Sequence, residues 1–351
     1  MHMADALISP AVGGTMWAVS GGLLAYCANK VKQSFRDNLV PMMGVLGAFI
    51  FAAQMINFSI PGTGSSGHLG GGLILAALLG PHAAFLVIAS VLTVQAFFFA
   101  DGGLLALGCN IFNLGFFPAF VAYPLIYRAV VRDQYVAPRA WVGSVAAAVV
   151  GLLLGAFSVV LETQTSGITD LPFGTFVLLM LPIHLAIGVV EGLATAAVVS
   201  FVAKARPEAL PTVSAPGDSV SMRPVLVKLA VITLLTGGVA SWFASTHPDG
   251  LEWSIAKVTG KEEVAGRADG VHKSLSDVQA KTAFLPDYGF KASGDAPAHG
   301  ETETPTAEAW PAVSAGTSLS GVVGGGMTLA LACLIGMALR MRSGSRCGGK
   351  A

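Results

Sequence analysis

Ala140-Trp141-Val142-Gly143-Ser144-Val145-Ala146-Ala147-Ala148-Val149-Val150-Gly151-Leu152-Leu153-Leu154-Gly155-Ala156-Phe157-Ser158-Val159-Val160-Leu161 runs without a single charge. Wound as a helix, such a run crosses the ~30 Å hydrocarbon core of a bilayer. Comparable stretches lie near 11–29, 39–58, 82–100, 104–127, 174–203, 224–243 and 320–340. The 351-residue chain is 54% hydrophobic and 11% charged, against about 25% charged in soluble domains. The fold class is therefore all-α: a polytopic membrane bundle of about seven spans, then a C-terminal two-span module with a long extracytoplasmic loop. A net charge of zero gives no sign of nucleic-acid binding. Cys27, Cys109, Cys333 and Cys347 form no close pair, so neither a disulfide framework nor a Cys-based zinc site is indicated. The start lacks the basic region of a signal peptide and is read as mature and uncleaved.

Segment 69–80, closed by Gly80-Pro81, is short for a full span and reads as a half-helix. Counted as a crossing, it puts fourteen of the twenty Lys and Arg residues on one side. The other six lie in the loop 244–319, and long loops escape the positive-inside rule. That places the N-terminus and the loop around residue 68 outside and the C-terminus in the cytoplasm. The Pro-containing stretch 206–221 is a linker between domains 1–205 and 222–343. The outer loop holds eleven acidic and six basic residues. It reads as a solvated, partly disordered segment with a weak attraction for cations.

The chain opens Met1-His2-Met3-Ala4-Asp5. An unblocked Met1 amine, the Met1–His2 peptide nitrogen and the His2 Nδ1 close five- and six-membered rings around one ion. A fourth nitrogen from His68, inside Gly64-Ser65-Ser66-Gly67-His68-Leu69-Gly70-Gly71, completes a plane. Planar nitrogen coordination suits Ni2+, Cu2+ and low-spin Co2+, whereas Zn2+ prefers a tetrahedron. Met1 is expected to be retained because His2 is not small.

Asp101 is the only formal charge between residues 38 and 127 and either orients an imidazole or caps the next helix. Asn57, Ser66 and His82 are expected around the first ligands. His82 alternatively has a structural role at a helix start. His184 and Glu191, seven residues apart, share one helix face. They form either a packing network or a second metal site. There is no Walker A loop, no His-Glu-x-x-His and no Gly-x-Ser-x-Gly, so active transport would draw its energy from another polypeptide or an ion gradient. The rivals are a membrane metalloenzyme using His68, His82 and Asp101 and a passive metal channel.

The opening Met1–Pro10, Gln54-Met55-Ile56-Asn57-Phe58, Gly64–Gly71 and Phe99-Ala100-Asp101-Gly102-Gly103 together resemble the CbiM/NikM family over residues 1 to about 205. Pro248-Asp249-Gly250-Leu251-Glu252 resembles the PDGLE-type CbiN/NikN component, over roughly 222–343, with a loop 256–318 longer than a minimal version. The resemblance implies the substrate-capturing component of an energy-coupling-factor importer in the cytoplasmic membrane. Co2+ or Ni2+ is its substrate, in the setting of cobalamin biosynthesis, and it has no cofactor. Met1, His2 and His68 are the implied ligands. CbiQ/NikQ-like coupling proteins and CbiO/NikO-like ATPases are the implied partners.

Overall fold

The computed structural model describes residues 2–36, 38–132, 135–205, 222–264, 266, 269–291 and 310–344. The linker 206–221 lies outside them, as do Met1, Arg346, Cys347 and Lys350. The described chain is helical apart from one short hairpin. Its helices are α1 (Pro10–Gln33), α2 (Leu39–Gln54), α3 (Gly72–Leu79), α4 (Pro81–Phe99), α5 (Leu107–Val131), α6 (Ala137–Ser166), α7 (Phe173–Ala205), α8 (Arg223–Gly238), α9 (Gly250–Thr259), α10 (Gly270–Thr282) and α11 (Ala315–Gly344). Six of these are long and apolar enough to cross a membrane. The polytopic all-α architecture read from the sequence is the architecture observed.

Burial follows each helix's position. The fully buried positions of α1 are Gly13, Ser20, Cys27 and Val31, flanked by Val12, Met16, Leu23, Leu24 and Ala28, which are partly buried against the core. All eight residues of α3 are buried, and α4 runs beside it through the centre. At about 1.5 Å per residue, α3 covers only some 12 Å. It is therefore the half-helix that the Gly80-Pro81 break implies. Gly80 turns the chain with φ 83°, and Pro81 starts α4. In α5 the stretch Phe112–Tyr127 is wound as a π-helix around Pro118 and Pro124. Neither proline can donate to a preceding carbonyl, and the wider winding relieves the ring clash. Helices α6 and α7 pack closely, with Gly188 so near Val149 that a Cβ would sit 2.7 Å from its Cα.

The hairpin pairs β1 (Phe58–Ile60) with β2 (Ser65–Gly67), antiparallel, Phe58 opposite Gly67. It carries the chain from α2 to His68. The Pro248–Glu252 run is a helix start. The Asp249 side chain accepts from Leu251 N (2.7 Å) and Glu252 N (2.9 Å), and Glu252 Oε2 accepts from Asp249 N (2.8 Å). This reciprocal capping box begins α9. Gly250 lies against α7, where a Cβ would come within 2.6 Å of Ile183. The motif thus fixes one end of the outer loop onto the first module. Ser66 seals the joint by donating its N–H to Pro248 O (2.8 Å) and its hydroxyl to His247 O (2.7 Å). Trp253 Nε1 donates to Thr63 O at 3.0 Å.

Candidate metal centre

Apart from a single 3-10 turn at Asp5–Leu7, the first residues have no secondary structure of their own, so other elements hold them. Asn110 of α5 grips Met3 at both backbone groups: its Oδ1 accepts from Met3 N at 2.8 Å, and its Nδ2 donates to Met3 O at 3.2 Å. Gly103 N also donates to Met3 O (2.9 Å), Asp5 Oδ1 accepts from Ala106 N (3.0 Å), and His272 Nε2 donates to Ile8 O (2.8 Å). Met3, Leu7 and Ile8 are fully buried. Asn110 thus fixes the chain start at Met3, one residue after His2.

His2 and His68 stack with ring centroids 5.0 Å apart and planes 19° apart. His68 Nδ1 lies 3.1 Å from Leu69 O. That carbonyl can only accept, so it assigns the proton to Nδ1 and the lone pair to Nε2. Burial pushes the His68 pKa down to about 3, and the imidazole is neutral at physiological pH. His2 Nδ1 meets Asp101 Oδ1 at 2.8 Å. Its Nε2 is buried without a hydrogen-bond partner. The sequence reading put His2 Nδ1 in the chelate, but here that atom faces the nearest carboxylate. Closing the six-membered ring requires the imidazole to turn and give up Asp101. Burial works to raise the Asp101 pKa, but His2 and the Tyr288 hydroxyl outweigh it and hold the carboxyl below its ordinary value.

A hydrogen-bonded cradle supports the His68 loop. Gln95 Nε2 donates to Gln54 Oε1 (2.9 Å), and Gln54 Nε2 donates to Gly70 O (2.8 Å). Glu191, buried in α7, accepts from Gly70 N (2.7 Å) and Gly71 N (3.2 Å). Its carboxylate thus stands at the positive N-terminal end of α3.

The outer loop covers the centre from the other side. Gln279 of α10 donates to Ala96 O (2.9 Å) and Gly102 O (2.8 Å), and the Tyr288 hydroxyl donates to Asp101 Oδ2. Between the loop and the centre lies a cavity of about 800 Å³ whose walls include His2, His68, Asp101, Asp249, Glu252 and Glu262. Burial, with Asp249 beside it, raises Glu252 to about 7. Among the described residues no group of three or more His, Cys, Asp or Glu side chains is arranged to hold a metal ion. The N-terminal segment passes so close to Gly103 that a Cβ there would collide with Asp5 side chain and backbone alike. Gly103→Ala is expected to displace the segment and weaken Ni2+ binding at least tenfold by competition titration, with the helix content unchanged by circular dichroism.

The structure brings His2, His68 and Asp101 together, and Met1 lies outside the described residues. Asn57 lines the cavity, but its carbonyl is taken by Ser245 N at 2.7 Å. Ser66 serves the joint with residues 247 and 248. His82 is not brought to the centre: its ring packs at 5.6 Å on Tyr26 and at 5.6 Å on Phe120. Its place at the α3–α4 break puts it a half-helix away from His68. His184 and Glu191 do not meet as a pair. His184 Nδ1 bonds Met180 O at 2.8 Å, while Glu191 serves the His68 loop. Asn110, like Gln54 and Gln95 a polar residue on an apolar span and so a candidate for a network around the ligands, takes the specific role of clamp on Met3 that the sequence did not announce. A buried asparagine three residues from another on an apolar span was its only signal.

Residues 2–209 match the family model described as the cobalt uptake substrate-specific transmembrane region, CbiM, and residues 223–341 match the PDGLE domain. An Archaeoglobus fulgidus protein, provisionally named a fused nickel transport protein NikMN, is 37% identical over 62% of this chain and 70% of its own. The fused nickel transport protein NikMN of Rhodobacter capsulatus is 28% identical over 77% of this chain and 81% of its own. A solved transition metal transporter aligns with TM-score 0.52 at 31% identity, covering 58% of this chain and 93% of that one. These relatives are transport proteins, not enzymes, which removes the metalloenzyme alternative.

Proposed function

Since this chain belongs to the CbiM family of cobalt-uptake substrate-specific transmembrane regions, continued by a PDGLE domain, we propose that it captures Co2+ or Ni2+ outside the membrane for import. The ion is the substrate. Its donors are the Met1 amine, the His2 peptide nitrogen, the His2 imidazole and the His68 imidazole. One observation carries this reading: two stacked imidazoles meet one residue before the point, Met3, at which Asn110 clamps the chain start. Two side-chain donors alone do not complete a site, and the His2 peptide nitrogen is the further donor that a planar chelate requires.

The chain divides into a metal-binding unit (1–205), a cytoplasmic linker (206–221) and the two-span unit 222–343. The N-terminus and the acidic cavity face outside, where negative walls raise the local concentration of cations. Transfer inward is driven by partners: a CbiQ/NikQ-like coupling protein and CbiO/NikO-like ATPases in the cytoplasmic membrane. Proteoliposomes holding this chain and those partners accumulate labelled Co2+ or Ni2+ only with ATP. Uptake by this chain alone, at the same rate, would make it a passive channel.

Proton release gives a second test. An ordinary α-amine has a pKa of about 7.7–8.0, so ligation below that pH expels one proton from the amine and one from the peptide nitrogen. Metal affinity therefore rises with pH, by at least about a hundredfold per unit between roughly pH 5.5 and 7. His68, neutral over this window, adds nothing to the slope. A flat profile in buffered metal titrations would rule out backbone ligation.

A further inference from the structure

The outer loop of the PDGLE module contains a turn that its own sequence disfavours. Asp287 and Tyr288 both adopt left-handed backbone, φ 50° and 59°, a conformation uncommon for residues other than glycine. Two such residues in succession persist only where the surroundings hold them there. The ring of Tyr288 stacks on Phe99 at 5.1 Å and 21° and meets Phe51 edge-on at 6.2 Å. Its hydroxyl donates to Asp101 Oδ2, while Asp101 Oδ1 holds His2 Nδ1 at 2.8 Å. The strained turn thus delivers one phenol to the far oxygen of the carboxylate that grips an imidazole of the metal centre.

We propose that Tyr288 is a positioning residue for metal capture, acting on His2 through Asp101. A half-buried carboxylate with one donor is costly to strip of it. With the Tyr288 hydroxyl fixed on Oδ2, Asp101 keeps a partner whether or not Oδ1 holds the imidazole. The carboxylate then stays in place while His2 exchanges between Asp101 and the ion. The aromatic stack and the hydroxyl do separate jobs: the ring docks the loop, and the oxygen sets the metal centre. The C-terminal module would therefore tune the affinity of a site whose ligands all belong to the first module. This inference rests on the proposed role of His2 as a ligand.

The test is Tyr288→Phe in the full-length chain, which keeps the ring on Phe99 and removes only the oxygen. Hydrogen-bonding partners of metal ligands typically change affinity by about ten- to a hundredfold. Ni2+ binding, read by competition with a chromophoric chelator, is expected to weaken within that range, with an unchanged melting temperature. In the Asp101→Asn background the same substitution is expected to cost nothing further, because the path runs through Asp101. Wild-type affinity in Tyr288→Phe overturns the proposal, since a purely structural docking role survives in phenylalanine. So does an additive loss in the double variant. A control separates this from the site itself: a Leu-Gln insertion between Met1 and His2. If that insertion leaves Ni2+ binding intact, the ligand assignment falls. If it abolishes binding while Tyr288→Phe is neutral, only the role of Tyr288 falls.

Discussion

Placing Leu-Gln between Met1 and His2 lowers Ni2+ and Co2+ affinity at least a thousandfold, about 4 kcal/mol, and leaves the fold intact. No side chain is lost, and the packing of Met3, Leu7 and Ile8 and the Asn110 clamp all lie downstream of the insertion. The added residues have room in the cavity of about 800 Å³ beside His2. What changes is the spacing of the amine and peptide nitrogen from the imidazole, so the five- and six-membered rings no longer close. Two residues are inserted rather than one for a chemical reason. A histidine in third position forms its own planar chelate from the amine, two peptide nitrogens and the ring, and would bind Ni2+ or Cu2+ without help from His68. Equilibrium dialysis measures the loss, and the spectrum of any residual ion shows whether planar nitrogen coordination survives. Undiminished affinity would mean that side chains alone hold the ion, and the chelate would have to be abandoned.

The polytopic helical architecture and the approach of His2 to His68 were legible in the sequence for different reasons, whereas among the described residues six helices, not the seven plus two read from apolar stretches, are long and apolar enough to cross a membrane. Long apolar runs such as 140–161 have one physical solution in a bilayer, a helix, and the Gly80-Pro81 break bounds a half-helix by backbone chemistry alone. His2 was legible because a second-position histidine has a chelating geometry independent of the fold. That Asp101 orients an imidazole was one of the two readings open from sequence, but that it takes Nδ1 was not legible, because which way a ring turns depends on a carboxylate 99 positions away. Of the two readings of His82, the structural role at a helix start is the one its position matches. Its closeness to His68 along the chain spans a helix and a reversal, and the reversal carries its ring to Tyr26 and Phe120. The outer loop was read as a solvated acidic segment. Its helix α10 instead carries His272 and Gln279 onto the first module. Those are polar residues on a polar helix, with nothing in their spacing to announce a partner. The Asp249–Glu252 capping box was in plain view as Asp-x-x-Glu, and it explains in local terms why that motif starts a helix.

Glu191 is the second position where a large effect is expected, although it touches no proposed donor atom. Its carboxylate accepts from both Gly70 N and Gly71 N, within three residues of His68. In Glu191→Ala both N–H groups are stranded in an apolar interior, at about 1–3 kcal/mol each. The favourable placement of negative charge at the α3 N-terminus is lost as well. His68 then sits on a loop that must be ordered by the ion itself, and Ni2+ affinity is expected to fall at least a hundredfold, with a lowered melting temperature. Glu191→Gln keeps one acceptor oxygen in nearly the same volume. It is expected to lose about tenfold and to bind Ni2+ with an unaltered absorption spectrum, because the carboxylate orders the loop and does not ligate. A changed spectrum in the glutamine variant would instead put Glu191 on the metal and revive the idea of a second site on the α7 face shared with His184. The pair of variants separates the two roles because only direct ligation alters the electronic structure of the ion. Loop ordering alters the population of competent sites and leaves each occupied site the same.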